Sequence, residues 1–317
     1  MALLRIFVGI DVSKDRLDLW LEPLKRFERA SNDGAGWASV ISLLNSLGVE
    51  PAGLVVAFEA TGGYEAGLRQ ALLEAGFEVR RVNPLRVRLY ARSLGRNAKN
   101  DRIDARLITR YAEVADTKPE ILDPARERLA ELVCHRRRLV DERVAVGNQS
   151  GMLRCSLLQA QNGKRLALIE RQIEETDTLI LETIGLIPNV VAKLKLLKTL
   201  KGVKDITAIA LIALLPELGR LTRRAIAALV GLAPFDRDSG TLKGTRSIAG
   251  GRAAVRTALY MAARAAAISK SPLGDFYKRL IAAGKPKKVA TVALMRKMLV
   301  TLNAILRDGT PWKHANV

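Results

Sequence analysis

Two short apolar runs in the first 60 residues are each followed at once by an acid, and they restrict how the chain begins to fold. The runs are LLRIFVGI at 3–10, which precedes Asp11, and LVVAF at 54–58, which precedes Glu59. Continuous apolar runs of this length are typical of strands that are covered on both faces of a sheet. The segment DRLDLWLE at 15–22 alternates between polar and apolar residues, which predicts an antiparallel neighbour of the first strand.

Helical patterns separate these strand patterns along the first part of the chain. A further strand is predicted for FEVRRV at 77–82. Strands that are separated by helices predict an α/β domain with a mixed sheet over residues 1–120. The helices are predicted at 33–47, at 64–75 ending at Gly76, from Pro84 onward, and at 101–115.

The remainder of the chain has helical patterns throughout. A long charge-rich stretch without proline, within residues 121–188, predicts one or two long helices that form a coiled-coil arm or pair with another copy of the chain. Residues 189–317 predict an all-α domain of short helices. These helices are expected at 196–219 with a tight turn at Gly202, at 222–231, at 251–267 and after Pro272 and Pro286, with a polar loop from 232 to about 250.

The positive charge of the chain is concentrated at its C-terminal end. The net charge is +20, and residues 190–317 hold 24 Lys and Arg against 6 Asp and Glu. Residues 1–125 hold 18 against 17. A polyanionic partner explains such asymmetry better than a solvated basic surface does, so the sequence predicts binding to nucleic acid.

The cysteine, histidine and apolar content excludes several classes of protein. Two cysteines 21 residues apart and two histidines cannot build a structural zinc site, and so few cysteines argue against a disulfide framework. No apolar run has the length of a membrane span, and the apolar start runs into Asp11 without a small-residue cleavage site. We therefore expect a cytoplasmic protein without a membrane segment.

Four acids are candidates for a metal site. Asp11 and Glu59 follow buried strands, which are rigid positions, and Asp101 and Asp104 lie three residues apart on one face of a predicted helix. Two divalent ions held by carboxylates can activate water and stabilise the leaving oxygen in phosphodiester cleavage. Each acid also has an ordinary structural interpretation. Asp11 and Glu59 are common turn or cap residues, Asp101 is a helix N-cap, and Asp104 is a first-turn acid.

These acids stand in segments that resemble a known family. GIDVSKDRLDLWL, FEATGGYE, NP at 83–84 and KNDRIDARLITRYA are similar to the N-terminal domain of the DEDD transposases of insertion sequences. That domain resembles Holliday-junction resolvases of the RuvC type and has a ribonuclease-H-like fold. The resemblance implies that Asp11, Glu59, Asp101 and Asp104 are catalytic ligands of Mg²⁺ or Mn²⁺.

The resemblance continues in the C-terminal domain. LVGLAPFDRDSGTLKGTRSIAGGRAAVRTALYMAA is similar to the family's most recognisable C-terminal stretch, and it implies that Ser239 is a nucleophile that forms a transient phosphoserine link with DNA. Taken alone, Ser239-Gly240 is most simply a turn, and Thr241 and Ser247 are the next candidates in the same loop. The family also implies a guide RNA encoded by the element itself.

Basic residues surround the serine loop and a second predicted turn. Lys243, Arg246, Arg252 and Arg256 lie in or after the loop, where Gly250-Gly251 would let backbone amides approach a phosphate. Residues 200–219 resemble a helix-hairpin-helix whose turn reads KGVK, with Lys204 in place of the usual second glycine. These side chains are predicted to bind nucleic acid, and the alternative for each is a solvated basic face.

Three functions remain open at this point. The first is a recombinase that uses both the carboxylates and Ser239, as a dimer or tetramer assembled through the helical arm. The second is a resolvase-like endonuclease, which needs the carboxylates but no serine. The third is a DNA- or RNA-binding protein without catalysis, which the complete set of acids makes the weakest of the three.

Overall fold

The computed structural model describes residues 5–22, 24–95, 101–235 and 246–312, with the side chains of Asp101 and Arg102 left out. The chain divides into two compact units, at 1–123 and 124–317. Ser239 and Lys243 lie outside the described residues. The helices of the predicted arm fall within the second unit, and the division into three domains at 120 and 188 stays a prediction.

The first unit combines one sheet with four helices among its described residues. Its strands are β1 (Ile6–Val12), β2 (Arg16–Glu22), β3 (Arg26–Ser31), β4 (Leu54–Glu59) and β5 (Glu78–Val82). Its helices are α1 (Gly34–Asn45), α2 (Ala66–Glu74), α3 (Pro84–Ser93) and α4 (Asp101–Val114).

The five strands form one mixed sheet in the order β3-β2-β1-β4-β5. β2 pairs antiparallel with both β1 and β3, whereas β4 pairs parallel with β1 and with β5. The sheet and its helices confirm the predicted α/β class, and the arrangement is consistent with the expected ribonuclease-H-like fold.

Helices cover both faces of this sheet. One face packs against α1 and α2 through a core that includes Ile10, Leu19 and Phe58. The other face packs against α3 and α4 through Ala57, Ile108 and their neighbours. The buried strands β1 and β4 are apolar on both faces for this reason.

One strand was missing from the sequence prediction. β3 is an edge strand with the sequence RFERAS, and its charged residues do not form the apolar pattern of a buried strand. Asp33 ends the connection to α1 as an N-cap, because its carboxylate accepts a hydrogen bond from the Gly36 amide at 2.8 Å. That hydrogen bond lowers the pKa of Asp33 below its usual range.

The second unit is helical apart from one small hairpin in its described residues. Its helices are α5 (Pro124–Ser150), α6 (Ser156–Leu186), α7 (Val190–Leu197), α8 (Asp205–Leu214), α9 (Arg223–Val230), α10 (Ala253–Ala267), α11 (Pro272–Ala282) and α12 (Lys287–Asp308). The all-α prediction is therefore correct except for two short strands, β6 (Pro234–Phe235) and β7 (Ser247–Ile248), which pair antiparallel inside the predicted loop.

The long charge-rich stretch forms two antiparallel helices, α5 and α6. Arg136 of α5 bonds Asp177 of α6, and near the connection Asn162 of α6 donates to the Ser150 hydroxyl of α5. Buried Leu139 and Ile169 lie between the two helices. Supercoiling of this pair as a coiled coil stays a prediction.

The core of the second unit is built around α12. Leu294, Met298 and Leu302 are fully buried there, and the core extends to Leu129 of α5. By length and composition alone, α12 is apolar enough to cross a membrane, although Arg296 and Lys297 interrupt its apolar residues. It is the one helix of this kind among the described residues, and 44% of its apolar window is buried inside the unit.

Candidate functional site

Four polar side chains form a row across neighbouring strands of the first unit. Asp18 of β2 lies opposite Arg29 of β3, and Asp11 of β1 lies opposite Asp18. The parallel register of β1 and β4 pairs Ile10 with Phe58, so the next residues, Asp11 and Glu59, stand side by side. Residues opposite one another in a sheet point to the same face, so all four side chains share a face.

Helix α4 lies over this face. A Cβ atom added to Gly9 would come within 2.3 Å of the Ala105 carbonyl oxygen and 2.4 Å of the Thr109 hydroxyl. Gly9 and Asp11 are two residues apart in a strand and share the α4 face. Asp104 immediately precedes Ala105, and α4 begins at Asp101. We call the ends of β1 and β4 together with the first turn of α4 the carboxylate edge.

The carboxylate edge thus brings together the strand ends and the helix start that the sequence singled out. The donors that the sequence assigns to it are all carboxylates, the ligand chemistry that hard divalent cations prefer. Within the described ranges, no three His, Cys, Asp or Glu side chains are grouped closely enough to hold a metal ion. The Asp101 side chain is outside that search, so the four-acid metal site stays a proposal.

Asp18 is an acid of the row that the sequence prediction missed. It is only 2% exposed, and its carboxylate accepts hydrogen bonds from Arg16 at 2.9 Å and from Arg29 at 2.7 Å. Two arginines therefore balance a buried negative charge beside Asp11. A signal for Asp18 is present in the sequence, because this acid alternates with Leu17 and Leu19 on β2 and so faces the opposite side of the sheet from them.

Buried Glu65 shapes the loop after Glu59. Its carboxylate accepts hydrogen bonds from the Thr61 amide at 3.2 Å and the Gly63 amide at 3.0 Å. Burial acts to raise the pKa of Glu65, but the amides that donate to its carboxylate and the charge of Arg81 outweigh this and lower it. Gly62 and Gly63 both have positive φ, so this turn needs residues without a Cβ atom.

The loop that contains Ser239 begins and ends in the small hairpin of the second unit. β6 and β7 pair Phe235 with Ser247, so the two ends of the segment 236–246 are held together. Arg246 and Ser247, at the C-terminal end of this segment, are both exposed. The positions of Ser239, Thr241 and Lys243 lie outside the described residues.

Comparison with protein families gives two matches that follow one another along the chain. Residues 8–155 match the DEDD transposase model of the IS110 type, and residues 194–278 match the transposase model of the IS116/IS110/IS902 family. The chain belongs to the IS110 family of DEDD transposases. It is an enzyme that acts on DNA, as the resemblance of its motifs implied.

Two curated relatives align with nearly the whole transposase. They are the pilin gene-inverting proteins of Moraxella lacunata and Moraxella bovis, and each is 26% identical over 321 residues. Each alignment covers 97% of this chain and 98% of the relative. The likeness therefore extends over both units of the transposase.

Two arginines that were predicted to bind nucleic acid have partners inside the second unit of the transposase. The Arg252 guanidinium makes two hydrogen bonds to the Glu217 carboxylate, at 2.6 and 2.5 Å, and a third to the Leu214 carbonyl at 2.9 Å. The Arg256 guanidinium donates to the carbonyls of Val230 and Gly250. Both arginines therefore stabilise the protein, whether or not they also contact a phosphate.

Glycines fix the base of the same hairpin. A Cβ atom added to Gly251 would come within 2.3 Å of the Gly231 amide nitrogen, and both residues have positive φ. The Arg256 guanidinium donates a hydrogen bond to the neighbouring Gly250 carbonyl and so stabilises this contact. The backbone of 250–251 is thus packed against the end of α9, and the expectation that its amides approach a phosphate stays a prediction.

The α7–α8 hairpin has the predicted tight turn. Gly202 has a φ of +94°, and a Cβ atom there would lie 2.6 Å from the Ala262 carbonyl oxygen of α10. Lys204 follows as the N-cap of α8 and is exposed. Lys198 and Asp205 form an ion pair across the turn at 2.6 Å. The turn is therefore packed on the protein through Gly202 and presents Lys204 to solvent.

Proposed function

We propose that this transposase cleaves and rejoins DNA strands at the ends of its insertion sequence with two chemical centres. The first is the carboxylate edge, where Asp11, Glu59, Asp101 and Asp104 would hold Mg²⁺ or Mn²⁺. The second is Ser239. The observation that carries the proposal is the position of Asp11 and Glu59, side by side on the face of the sheet that α4 covers.

The chain's own part in the first centre is to fix the direction of its carboxylates. A divalent ion bound there would stabilise negative charge on the phosphate and on the leaving oxygen. Asp11 and Glu59 extend from two central strands, which are rigid supports, and Asp104 is carried by a helix seated directly on Gly9. A site built on such elements keeps its acids in place before DNA binds.

The second centre would conserve the energy of the broken bond. The Ser239 oxygen forms a bond to the DNA phosphorus, and the proton of the serine hydroxyl passes to a general base. The bond from phosphorus to the deoxyribose oxygen breaks, and this oxygen leaves and takes up a proton. A hydroxyl of the other DNA partner then attacks the phosphoserine and releases the serine. One phosphoester bond forms for each that breaks, so joining needs no nucleotide cofactor.

The basic second unit supports the proposal that nucleic acid, including a guide RNA from the element, binds there. Residues 190–317 carry 24 Lys and Arg against 6 Asp and Glu. We assign direct contacts with the nucleic-acid backbone to Lys204, Lys243 and Arg246. To Arg252 and Arg256 we assign a structural role beside the β6–β7 hairpin, from which the loop of Lys243 and Arg246 extends. Aromatic residues make up only 4% of the chain, which favours reading of sequence by an RNA over stacking on the protein.

The long helices α5 and α6 support assembly into a dimer or tetramer. Leu157, Leu168 and Leu179 of α6 are 63%, 44% and 37% exposed and recur every 11 residues. An 11-residue spacing keeps side chains on one helical face, so these leucines form a stripe that faces away from α5. A second copy of the chain would cover it.

The names of the Moraxella relatives favour recombination over simple cutting. A protein that inverts a pilin gene must cut two DNA sites and rejoin them, which is the chemistry proposed here. A resolvase-like endonuclease would use the carboxylates alone and would leave the strands unjoined. Ser239 separates the two possibilities.

The deciding experiment is a recombination assay in cells. A donor plasmid carries the element's ends, flanks and RNA-coding region, a second plasmid carries the target, and the junctions are amplified and sequenced. We expect Asp11→Ala and Ser239→Ala to abolish junctions, and Ser247→Ala to retain them as the matched serine on β7. Denaturing gels should show a protein–DNA adduct with the wild type that Ser239→Ala lacks.

Each arm of this assay can overturn one part of the proposal. Junctions from Ser239→Ala with none from Asp11→Ala would leave an endonuclease-like enzyme without serine chemistry. Junctions from Asp11→Ala would remove the carboxylate centre. Recombination that persists after deletion of the RNA-coding region would remove the guide.

A further inference from the structure

Asn32 joins the two chain segments that leave the carboxylate edge. Its side-chain amide nitrogen donates to the carbonyl of Ser13, two residues after Asp11, at 2.8 Å. The same nitrogen donates to the carbonyl of Tyr64, in the loop after Glu59, at 3.0 Å. A single amide group therefore bridges the exits of β1 and β4.

This bridge lies where the sheet ladder stops. The paired residues of β1 and β4 end at Ile10 and Phe58, one residue before the two acids. Among the described residues, no pair of the β1–β4 ladder lies beyond Ile10 and Phe58, so Asp11 and Glu59 follow directly after its last pair. The Asn32 amide links the two chain segments again after the acids, at Ser13 and Tyr64. Asp11 and Glu59 therefore lie between the last ladder pair and this bridge.

The direction of the Asn32 amide is itself fixed. The indole N–H of Trp37 donates to the Asn32 side-chain oxygen at 2.9 Å, and the Asn32 backbone N–H donates to the Asp15 carbonyl at 3.1 Å. The Trp37 ring rests on Gly67 of α2, where an added Cβ atom would lie 2.0 Å from the ring. The ring position thus selects the orientation in which the amide nitrogen faces both carbonyls.

We propose that Asn32 is a positioning residue, which sets the separation of the Asp11 and Glu59 carboxylates and so the affinity of the carboxylate edge for a divalent ion. The inference rests on the proposed function of that edge. Partners that orient metal ligands from outside the coordination sphere typically change metal affinity by about 10-fold to 100-fold when they are lost.

The test is a titration of the full-length protein with Mn²⁺ alone. Binding is measured by calorimetry and by the electron paramagnetic resonance signal of free Mn²⁺. Asn32→Leu keeps the branched shape of the side chain and removes the bridge, and we expect Mn²⁺ to bind about tenfold more weakly. Trp37→Phe removes the indole N–H donor, together with the outer ring atoms that lie on Gly67. It should weaken binding in the same direction by a smaller factor, and it carries the test if Asn32→Leu does not fold.

Asp33→Ala is the matched control from the same corner of the fold. It removes the N-cap of α1 without touching the bridge, so it should lower the melting temperature and leave Mn²⁺ affinity unchanged. Unchanged Mn²⁺ binding in Asn32→Leu, or in Trp37→Phe when the leucine variant does not fold, overturns the positioning role. Asp11→Ala separates the two levels. If it also binds Mn²⁺ like the wild type, the carboxylate metal site itself fails.

Discussion

Asp11 lies directly across from Asp18 on the neighbouring antiparallel strand, and the two acids face the same side of the sheet. Like charges in such a pair destabilise a sheet. Arg16 and Arg29 offset this cost, since both donate to the Asp18 carboxylate. The two acids therefore have different roles. Asp18 forms ion pairs inside the protein, and Asp11 lies at the carboxylate edge.

This division predicts a stability role for Asp18. In Asp18→Asn the two arginines lose a charged partner at a buried position, and we expect the free energy of unfolding to fall by about 1–3 kcal/mol. The arginines are about half exposed, which keeps the loss below that of a fully buried pair. Urea denaturation measures it, with exposed Asp15→Asn as the control. Equal stability of the Asp18 and Asp15 variants would contradict the ion-pair role.

Gly9 predicts a second and more local effect. A methyl group there would overlap the Ala105 carbonyl oxygen, which is backbone and cannot turn away. We expect Gly9→Ala to push α4 from the sheet, to lower the free energy of unfolding by about 1–3 kcal/mol, and to abolish DNA cleavage because Asp104 moves with the helix.

Gly163 supplies the control for that substitution. It lies inside α6 with open space around its Cα atom, so Gly163→Ala should stabilise the protein by about 0.5–1 kcal/mol. Both variants are compared by urea denaturation and by cleavage of a labelled DNA duplex. If the Gly9→Ala protein cleaves DNA at the wild-type rate, the packing of α4 on Gly9 does not determine the position of the catalytic acids.

The first unit shows which parts of the fold the sequence could predict. β1 and β4 are apolar on both faces because helices cover both, and this pattern marked them and the acids that follow. β3 was missed, because an edge strand needs few buried side chains and RFERAS has no clear period. The helix predicted at 33–47 begins with Asp33, and the structure shows this residue as its N-cap.

The site was less predictable than the fold. The positions of Asp11 and Glu59 follow from strand order, but the place of Asp18 depends on the cross-strand register, which one sequence does not specify. Arg252 shows the same limit. It looked like a phosphate contact because it follows a glycine pair, and only the packing of the chain brings Glu217 to it, 35 residues away.

Glu113 predicts a dependence of stability on pH. Partial desolvation and the negative charge of Glu22 raise the pKa of Glu113 above its unfolded value, with Arg110 acting in the opposite direction. The folded state therefore favours the protonated acid, and stability falls as the pH rises through the raised pKa. We expect Glu113→Gln to melt at a higher temperature than wild type at pH 7.

The difference should shrink as the pH falls toward 4, because Glu113 becomes mostly protonated in both the folded and the unfolded chain. The gain at pH 7 is expected to stay below about 1 kcal/mol, because the side chain is exposed and solvent screens its charge. Melting curves of the two proteins from pH 4 to pH 8 measure it. A variant that is less stable than wild type at pH 7 would contradict the unfavourable charge.

The pair of Arg252 and Glu217 predicts a coupled loss of stability. Arg252→Met and Glu217→Gln should each lower the free energy of unfolding by about 1–2 kcal/mol, because each leaves the other without its charged partner. The loss of unfolding free energy in the double variant should be smaller than the sum of the two single losses by about 1 kcal/mol. The reason is that the first substitution already breaks the ion pair, so the second cannot break it again.

The same variants decide whether Arg252 also contacts a phosphate. A side chain that neutralises one phosphate contributes about 0.9 to the slope of log affinity against log salt concentration. We expect Lys204→Ala, at an exposed position, to reduce that slope by about this amount while the melting temperature stays constant. Arg252→Met should lower the melting temperature and keep the slope, because its guanidinium is bound to Glu217 and to the Leu214 carbonyl. A reduced slope in Arg252→Met without a loss of stability would assign this arginine to the nucleic acid instead.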